Sequence, residues 1–312
     1  MTMRIGIYGA GAVGGYYGGM LARSGEDVTF IVREKRAKQL LERGLVVHSV
    51  TGSFTVQPTL VTDVRNTNKL DVVIVAIKNY HLSDAMDDLA VLRDAGTVII
   101  PLLNGVRHMD HLLAQFGEKN TLGGSCYIET TLSKDGDVVQ TGGSCEIVYG
   151  PVNELKLDDR VKNLMQELQG VLTKSGIKAM YRQQILVQMW KKYVFLCALS
   201  GVTAACRLPI GSVLQEPKGM LLYSDMIREL LSVAHAKGVA LPEDLHDQMM
   251  ESTAKLDPAL TSSMHRDLEK GSPLELDSLQ GALLDMAMEL DIRVPVHEVI
   301  YAVLVAHRFG SR

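Results

Sequence analysis

The chain has 312 residues, of which 46% are hydrophobic and 22% charged, with a formal net charge of -4. That length exceeds one ordinary hydrophobic core and suits two domains. The composition is that of a soluble globular protein, and the mild acidity excludes the basic footprint of a nucleic-acid binder.

The N-terminus reads MTMRIGIYGAGAVGG, and a glycine motif begins at Gly9. This leaves no room for a signal peptide before it, so a cytoplasmic location is expected. Arg4–Tyr8 is a short apolar run that reads as a strand, followed by a helix over Ala12–Arg23. Asp27–Val32 is strand-like, Glu34–Glu42 helical, and Val46–Val61 gives one or two short strands around Thr51-Gly52. Asp71–Ile77 is almost continuously apolar, as a strand buried on both faces of a parallel sheet would be. A helix over Leu82–Leu92 and a buried strand over Thr97–Leu103 follow. Strands alternating with helices predict βαβ units and a Rossmann-type doubly wound sheet.

From Leu122 to Tyr149 strands follow one another with no helix between them, so extra antiparallel strands at the sheet edge are expected. Leu155–Ser175 reads as an amphipathic helix and Ile177–Tyr181 as a last strand. Beyond Gln183 the pattern is helical, with candidates at Gln184–Leu199, Lys218–Lys237, Leu245–Ala254, Leu274–Leu290 and Val294–His307. The expected fold class is therefore α/β followed by all-α, with domains over 1–182 and 183–312. Tyr193–Cys206 is the most apolar stretch. It is shorter than the ~20 residues that span a bilayer, so it reads as a buried core helix and no membrane partner is expected. The four cysteines, Cys126, Cys145, Cys197 and Cys206, form no CxxC pair and sit in apolar surroundings. Buried thiols in a reducing compartment are the expectation.

Gly9-Ala10-Gly11-Ala12-Val13-Gly14 fits G-x-G-x-x-G, and its context of strand, turn and helix makes it a dinucleotide fingerprint. Gly9 makes the tight turn, Gly11 admits the pyrophosphate to the backbone, and Gly14 lets the helix pack on the strand. The phosphates would meet free N–H groups at the helix N-terminus. The second strand is followed by Arg33, where an NAD enzyme usually carries an acid. A guanidinium matches a phosphate with two hydrogen bonds, so NADPH is the expected cofactor, with Lys35 as a candidate helper. Lys78 and Asn104 follow the next two strands, where open α/β sheets bind ligands. His108 and His111 share a helical face, but no third ligand accompanies them and no metal is expected.

With GAGAVG, Arg33, the lysine in AIKNY (Lys78), the asparagine in LLNGV (Asn104), WKKY at Trp190–Tyr193 and TSSMHRDLEKGSPLELDSLQG at Thr261–Gly281, the sequence resembles the ketopantoate reductase (2-dehydropantoate 2-reductase) family over nearly its whole length. The resemblance implies hydride transfer from NADPH to the C2 carbonyl of a small 2-keto acid, with ketopantoate and pantothenate biosynthesis as the first expectation. It implies Lys192 as the catalytic lysine. Lys191 lies about 100° away around the helix, so both cannot face one site, and periodicity alone does not choose between them. Glu275 is implied as its acidic partner and Ser263 as a contact to the substrate carboxylate, with Asn104 and Lys78 between nicotinamide and substrate. The helix beyond Lys192 is apolar all round, which partly desolvates the ammonium and suits it to proton transfer.

The sequence also departs from the family pattern. Leu196 and Ser200 stand where asparagines are common, one and two turns after the lysine, and Leu260 replaces another. Ser200 keeps a hydroxyl and remains a candidate substrate contact. These changes leave the reaction type standing and weaken the link to ketopantoate itself, so a different 2-keto acid is an alternative. An NADPH-binding sensor without turnover and a 3-hydroxyacid-type dehydrogenase are the competing classes. A homodimer is compatible with the sequence but does not follow from it.

Overall fold

The computed structural model describes residues 2–311. It forms two compact units: one holds the residues up to Leu103 together with Met109–Ile185, the other holds Asn104–His108 and the residues from Leu186 onward. The division differs from the expected one at 182/183. It falls at 185/186, at the start of the long helix that begins at Ile185, and it also places Asn104–His108 with the helices.

The first unit contains a five-stranded sheet in which every pairing is parallel. Its strands are β1 (Arg4–Tyr8), β2 (Asp27–Ile31), β5 (Thr59–Val61), β6 (Val72–Val75) and β7 (Val98–Pro101), in the order β5-β2-β1-β6-β7. All four residues of β6 and of β7 are buried, as the apolar runs require of central parallel strands. The chain leaves β1 towards β2 on one side and reaches β6 on the other, so the strand order reverses beside β1. Ligands bind at the carboxyl ends of strands at such a reversal.

A second sheet holds β3 (Leu45–His48), β4 (Phe54–Val56), β8 (Leu122–Leu132), β9 (Val138–Pro151) and β10 (Lys178–Tyr181), ordered β10-β9-β3-β4 with β8 antiparallel to β9. The antiparallel pair expected at the edge of the first sheet thus belongs mainly to a sheet of its own. One isolated bridge, Ile99 to Thr121, and packing of Gly124 against Ile100 and Pro101 join it to the first. The reason lies in helix α1 (Ala12–Arg23), which packs against both sheets. A Cβ on Gly18 would stand 2.5 Å from Phe30 of the first sheet, and one on Gly15 would stand 2.7 Å from Val138 of the second. Small residues on two faces of one helix admit two sheets.

Helices α2 (Glu34–Arg43), α3 (Leu82–Asp94), α4 (Arg107–Phe116) and α5 (Asp159–Lys174) complete the α/β part. The expected helix from Leu155 starts later, because Asp158 caps it by accepting from the N–H of Val161 at 2.9 Å.

The second unit is helical: α6 (Ile185–Cys206), α7 (Ile210–Gln215), α8 (Pro217–Ala236), α9 (Leu245–Ala254), α10 (Ser263–Glu269), α11 (Ala282–Glu289) and α12 (Pro295–Leu304). A π-helical turn over Asp277–Gly281 leads into α11, where one regular helix was expected. Helix α6 has 22 residues and mean hydropathy 1.3, enough by length and composition to cross a membrane, which corrects the expectation from its apolar run. Yet 61% of that apolar window is buried inside the protein, and the buried residues include the polar Ser200 and Thr203. Two of the four cysteines depart from the expected burial: Cys126 and Cys197 are buried, Cys145 is half-buried and Cys206 is exposed.

Candidate functional site

The glycine turn follows β1 and is tied to β2 by the N–H of Gly9, which donates to the carbonyl of Ile31 at 2.9 Å. Gly9 has φ +97, a conformation that only glycine adopts without strain. A Cβ on Gly14 would stand 1.9 Å from the carbonyl oxygen of Gly9, so the start of α1 closes onto the turn only because that side chain is missing. Nothing lies within 4 Å of the place a Gly11 Cβ would take, and α1 carries no acidic residue in its first turn. Open space above Gly11 and helix N–H groups without side-chain caps fit an anionic dinucleotide backbone. Ala10 is buried, whereas Ala12 and Val13 are partly exposed at the helix start.

Arg33 stands two residues past β2 and is exposed, as is Lys35. Its Nη2 donates to Asp84 Oδ2 at 3.2 Å and lies 3.2 Å from Nδ1 of His81. Both ends of the Arg33–Asp84 pair are 66% exposed, and such pairs contribute little to stability. Lys78 follows β6 and is half-buried.

One arginine in this region had no signal in the motif. Arg36 on α2 donates from Nε to the carbonyl of Ala10 inside the glycine turn at 2.9 Å. Its Nη1 donates to Gln39 and to the carbonyl of Gly136 in the β8–β9 hairpin, at 2.6 and 2.9 Å. Burial pulls this guanidinium below the usual arginine value, with Asp137 opposing the shift. Arg36 thereby ties the glycine turn to α2 and to the second sheet.

In the helical unit, Asn104 donates from Nδ2 to Oε2 of Glu275 at 3.3 Å. Glu275 is 5% exposed, so this amide meets a carboxylate shielded from water. Lys192 lies on α6 and is half-buried, as is Lys191, so burial does not separate the two. Tyr193, beside Lys192, donates its hydroxyl to the carbonyl of Leu279 at 2.7 Å. The elements carrying Lys192 and Glu275 are therefore bonded to each other within one unit. Ser263 is half-exposed at the first position of α10, next to the capping Ser262. Ser200 has no exposed surface and its Oγ has no hydrogen-bond partner, so the structure does not present it to a ligand. Leu196 and Leu260 are each partly exposed.

Comparison with known proteins settles the family. A profile described as "Ketopantoate reductase PanE/ApbA" matches residues 5–154, and one described as "Ketopantoate reductase PanE/ApbA C terminal" matches residues 184–308. The chain belongs to the ketopantoate reductase PanE/ApbA family. It is thus an oxidoreductase of the ketopantoate reductase type. "Uncharacterized oxidoreductase YkpB" of Bacillus subtilis is 37% identical over 96% of this chain and 97% of its own. A 2-dehydropantoate 2-reductase structure from Geobacter metallireducens superposes with TM-score 0.86 at 27% identity, covering 97% of this chain and 99% of that one. A structure of D-mandelate dehydrogenase with NADH and anilino(oxo)acetate shares the fold, with TM-score 0.86 at 22% identity and 98% coverage of each chain.

Proposed function

We propose that this ketopantoate reductase-family chain reduces the C2 keto group of a small 2-keto acid with NADPH, with ketopantoate as the first candidate and pantothenate biosynthesis as the corresponding pathway. The carrying observation is the shielded Glu275 carboxylate, held by Asn104 in the unit whose 22-residue helix α6 bears Lys192. NADPH, when bound, supplies the hydride. The turn Gly9–Gly14 and the N-terminus of α1 bind the pyrophosphate, Arg33 takes the 2′-phosphate, and Lys78 and Asn104 border the nicotinamide. Lys192 gives its ammonium proton to the carbonyl oxygen as that oxygen gains charge, and stabilises the developing alkoxide. Glu275 pairs with the lysine and accepts from a substrate hydroxyl, while the Ser263 hydroxyl meets the substrate carboxylate.

A second reading is a paralogous reductase whose 2-keto acid carries an apolar substituent. Leu196 and Leu260, both partly exposed, favour it, because a leucine offers contact but no hydrogen bond. The mandelate dehydrogenase fold shows that this architecture also serves a protein named for an aromatic 2-hydroxy acid. We further read the chain as a cytoplasmic protein that forms homodimers. The latter rests on α12, where Val299 and Val303, one turn apart, are 62% and 53% exposed. Loss of NADPH absorbance with ketopantoate and with branched and aromatic 2-keto acids tests the activity. Turnover with ketopantoate alone supports the first reading and preference for a larger apolar acid the second. No turnover with any of them overturns both and leaves the cofactor-binding sensor and the 3-hydroxyacid-type dehydrogenase.

A further inference from the structure

The π-helical turn Asp277–Gly281 is the most irregular feature of the helical unit, and it lies just after Glu275. Such turns insert a residue into a helix and persist where the insertion serves a purpose. Two segments close on this one, α6 and the loop at Gly105. Gln280 has no exposed surface and donates from Nε2 to the carbonyl of Cys197 on α6 at 2.8 Å. Tyr193, 1% exposed, donates to the carbonyl of Leu279. Gly105, at φ +83, lies so near that a Cβ there would stand 2.8 Å from the carbonyl oxygen of Ser278.

The contact between Gln280 and α6 depends on a missing side chain. A Cβ on Gly201 would stand 2.8 Å from Gln280 Nε2 and 2.5 Å from Met226 Cε. The amide is also costly where it sits. Its Oε1 is buried with no hydrogen-bond partner, and so is Oγ of the fully buried Ser200 on α6. Met226 and Ile300, which border the Gly201 position together with the amide, are buried apolar side chains. Unpartnered buried polar atoms are rare, because each loses its water without replacement. A leucine at 280 would fill the same space without that cost. What the amide adds is a directional bond that fixes α6 along and around its axis.

We propose that the π turn sets the position of Lys192 relative to Glu275, with Gln280 and Tyr193 as its positioning residues. Tyr193 fixes the rotation of α6 one residue from Lys192, and Gln280 fixes the helix further along. Gly105 packs against the turn at Ser278, and its neighbour Asn104 donates to the Glu275 carboxylate just before it. Neither positioning residue touches substrate. Each acts through the lysine and the carboxylate, so the inference rests on the catalytic reading of that pair.

The test is a double-mutant cycle on the full chain with Gln280→Met, Lys192→Ala and the two combined. A reacting group displaced by about 1 Å costs on the order of a hundredfold in rate, so Gln280→Met alone is expected to lower kcat roughly ten- to a hundredfold. Its dissociation constant for NADPH, read by fluorescence titration, is expected to hold. The combined variant is expected to be no slower than Lys192→Ala within about twofold, because a displaced lysine matters only while it is present. Losses that multiply overturn the proposal, and so does a Gln280→Met kcat at the wild-type level. Should Gln280→Met not fold, Tyr193→Phe enters the same cycle with the same expectations. A Lys192→Ala variant of wild-type speed overturns the catalytic reading instead, which separates the two failures.

Discussion

The side-chain amide of Asn104 donates to the carboxylate of Glu275, 171 positions later in the chain, at 3.3 Å. Asn104 stands three residues past β7, which ends at Pro101, yet it groups with the helices, where Glu275 is shielded from solvent. Removing the amide takes one donor away from a buried carboxylate, at a cost of roughly 1–3 kcal/mol. Asn104→Ala is expected to lower kcat/KM about ten- to a hundredfold, in line with that cost. Asn104→Asp should be worse in both rate and melting temperature, because two carboxylates would then share the site. Steady-state kinetics and thermal unfolding of the two variants check this. An aspartate variant as active as wild type would remove Asn104 from the site.

Lys192 and Lys191 are neighbours with similar exposure, so only mutation separates them. A general acid contributes roughly 10²–10⁴-fold, and Lys192→Ala is expected to lower kcat by that amount. Lys191→Ala should stay within a few-fold of wild type, because its long side chain can extend into water from its own face of α6. The reverse pattern in the same kinetics would exchange their roles.

Arg33 is held by Asp84 and His81 in a pair exposed enough to exchange partners freely. A dianionic phosphate is a stronger partner than a solvated carboxylate. Charge-assisted hydrogen bonds contribute roughly 1.5–3 kcal/mol, so Arg33→Ala should weaken NADPH binding about ten- to a hundredfold. NADH binding should change little. Asp84→Asn should strengthen NADPH binding by removing the internal competitor. Titrations with both cofactors decide it, and equal losses for NADPH and NADH in Arg33→Ala would end the assignment.

Arg36 gives a contrasting case, because it holds the turn and is not expected to touch the cofactor. Its bonds to Ala10, Gln39 and Gly136 all disappear in Arg36→Ala. Affinity for NADPH and for NADH should therefore fall together, by a similar factor, with a drop in melting temperature. Selective loss of NADPH affinity would instead make Arg36 a phosphate ligand.

Much of this was legible in the sequence because it depends on local pattern. The apolar runs of β6 and β7, the glycines of the turn and the position of Arg33 after β2 follow from periodicity and from the steric demands of a phosphate site. Lys192, Glu275 and Ser263 came from a family resemblance, since no spacing rule links residues so far apart. What stayed hidden is tertiary. The second sheet exists because glycines on two faces of α1 admit two layers, and a glycine-rich helix alone does not say so. Arg36 sits in an ordinary charged helix, and only the fold brings Ala10 and Gly136 to it. The π turn inserts into a stretch with regular helical periodicity, and Ser200 looked available until its burial was seen.

Acid sensitivity should arise at the start of α12. Glu229 on α8 accepts from the backbone N–H groups of Val296 and His297 at 2.8 and 3.0 Å, and from Nδ1 of His297 at 2.8 Å. Burial raises the Glu229 carboxyl, but the His297 side chain and the two backbone donors outweigh it and hold the group below its usual range. Burial lowers His297, against the opposing pull of Glu229, so the fully covered ring is held neutral. Both folded values lie below the unfolded ones. Each group therefore stabilises the fold above its unfolded value, and that contribution is lost as pH falls. For His297 the loss begins near the free histidine value of about 6.5, and for Glu229 near the free carboxyl value of about 4.3. One proton taken up on unfolding gives a slope of about 1.4 kcal/mol per pH unit at most. Urea unfolding at pH 7.5, 6.5 and 5.5, values chosen to bracket about 6.5, should show stability falling on the acid side. His297→Gln cannot take up that proton, so its stability should change less over the same range. Parallel curves for the two proteins would mean that His297 titrates alike in both states, and that the acid loss, if any, arises elsewhere.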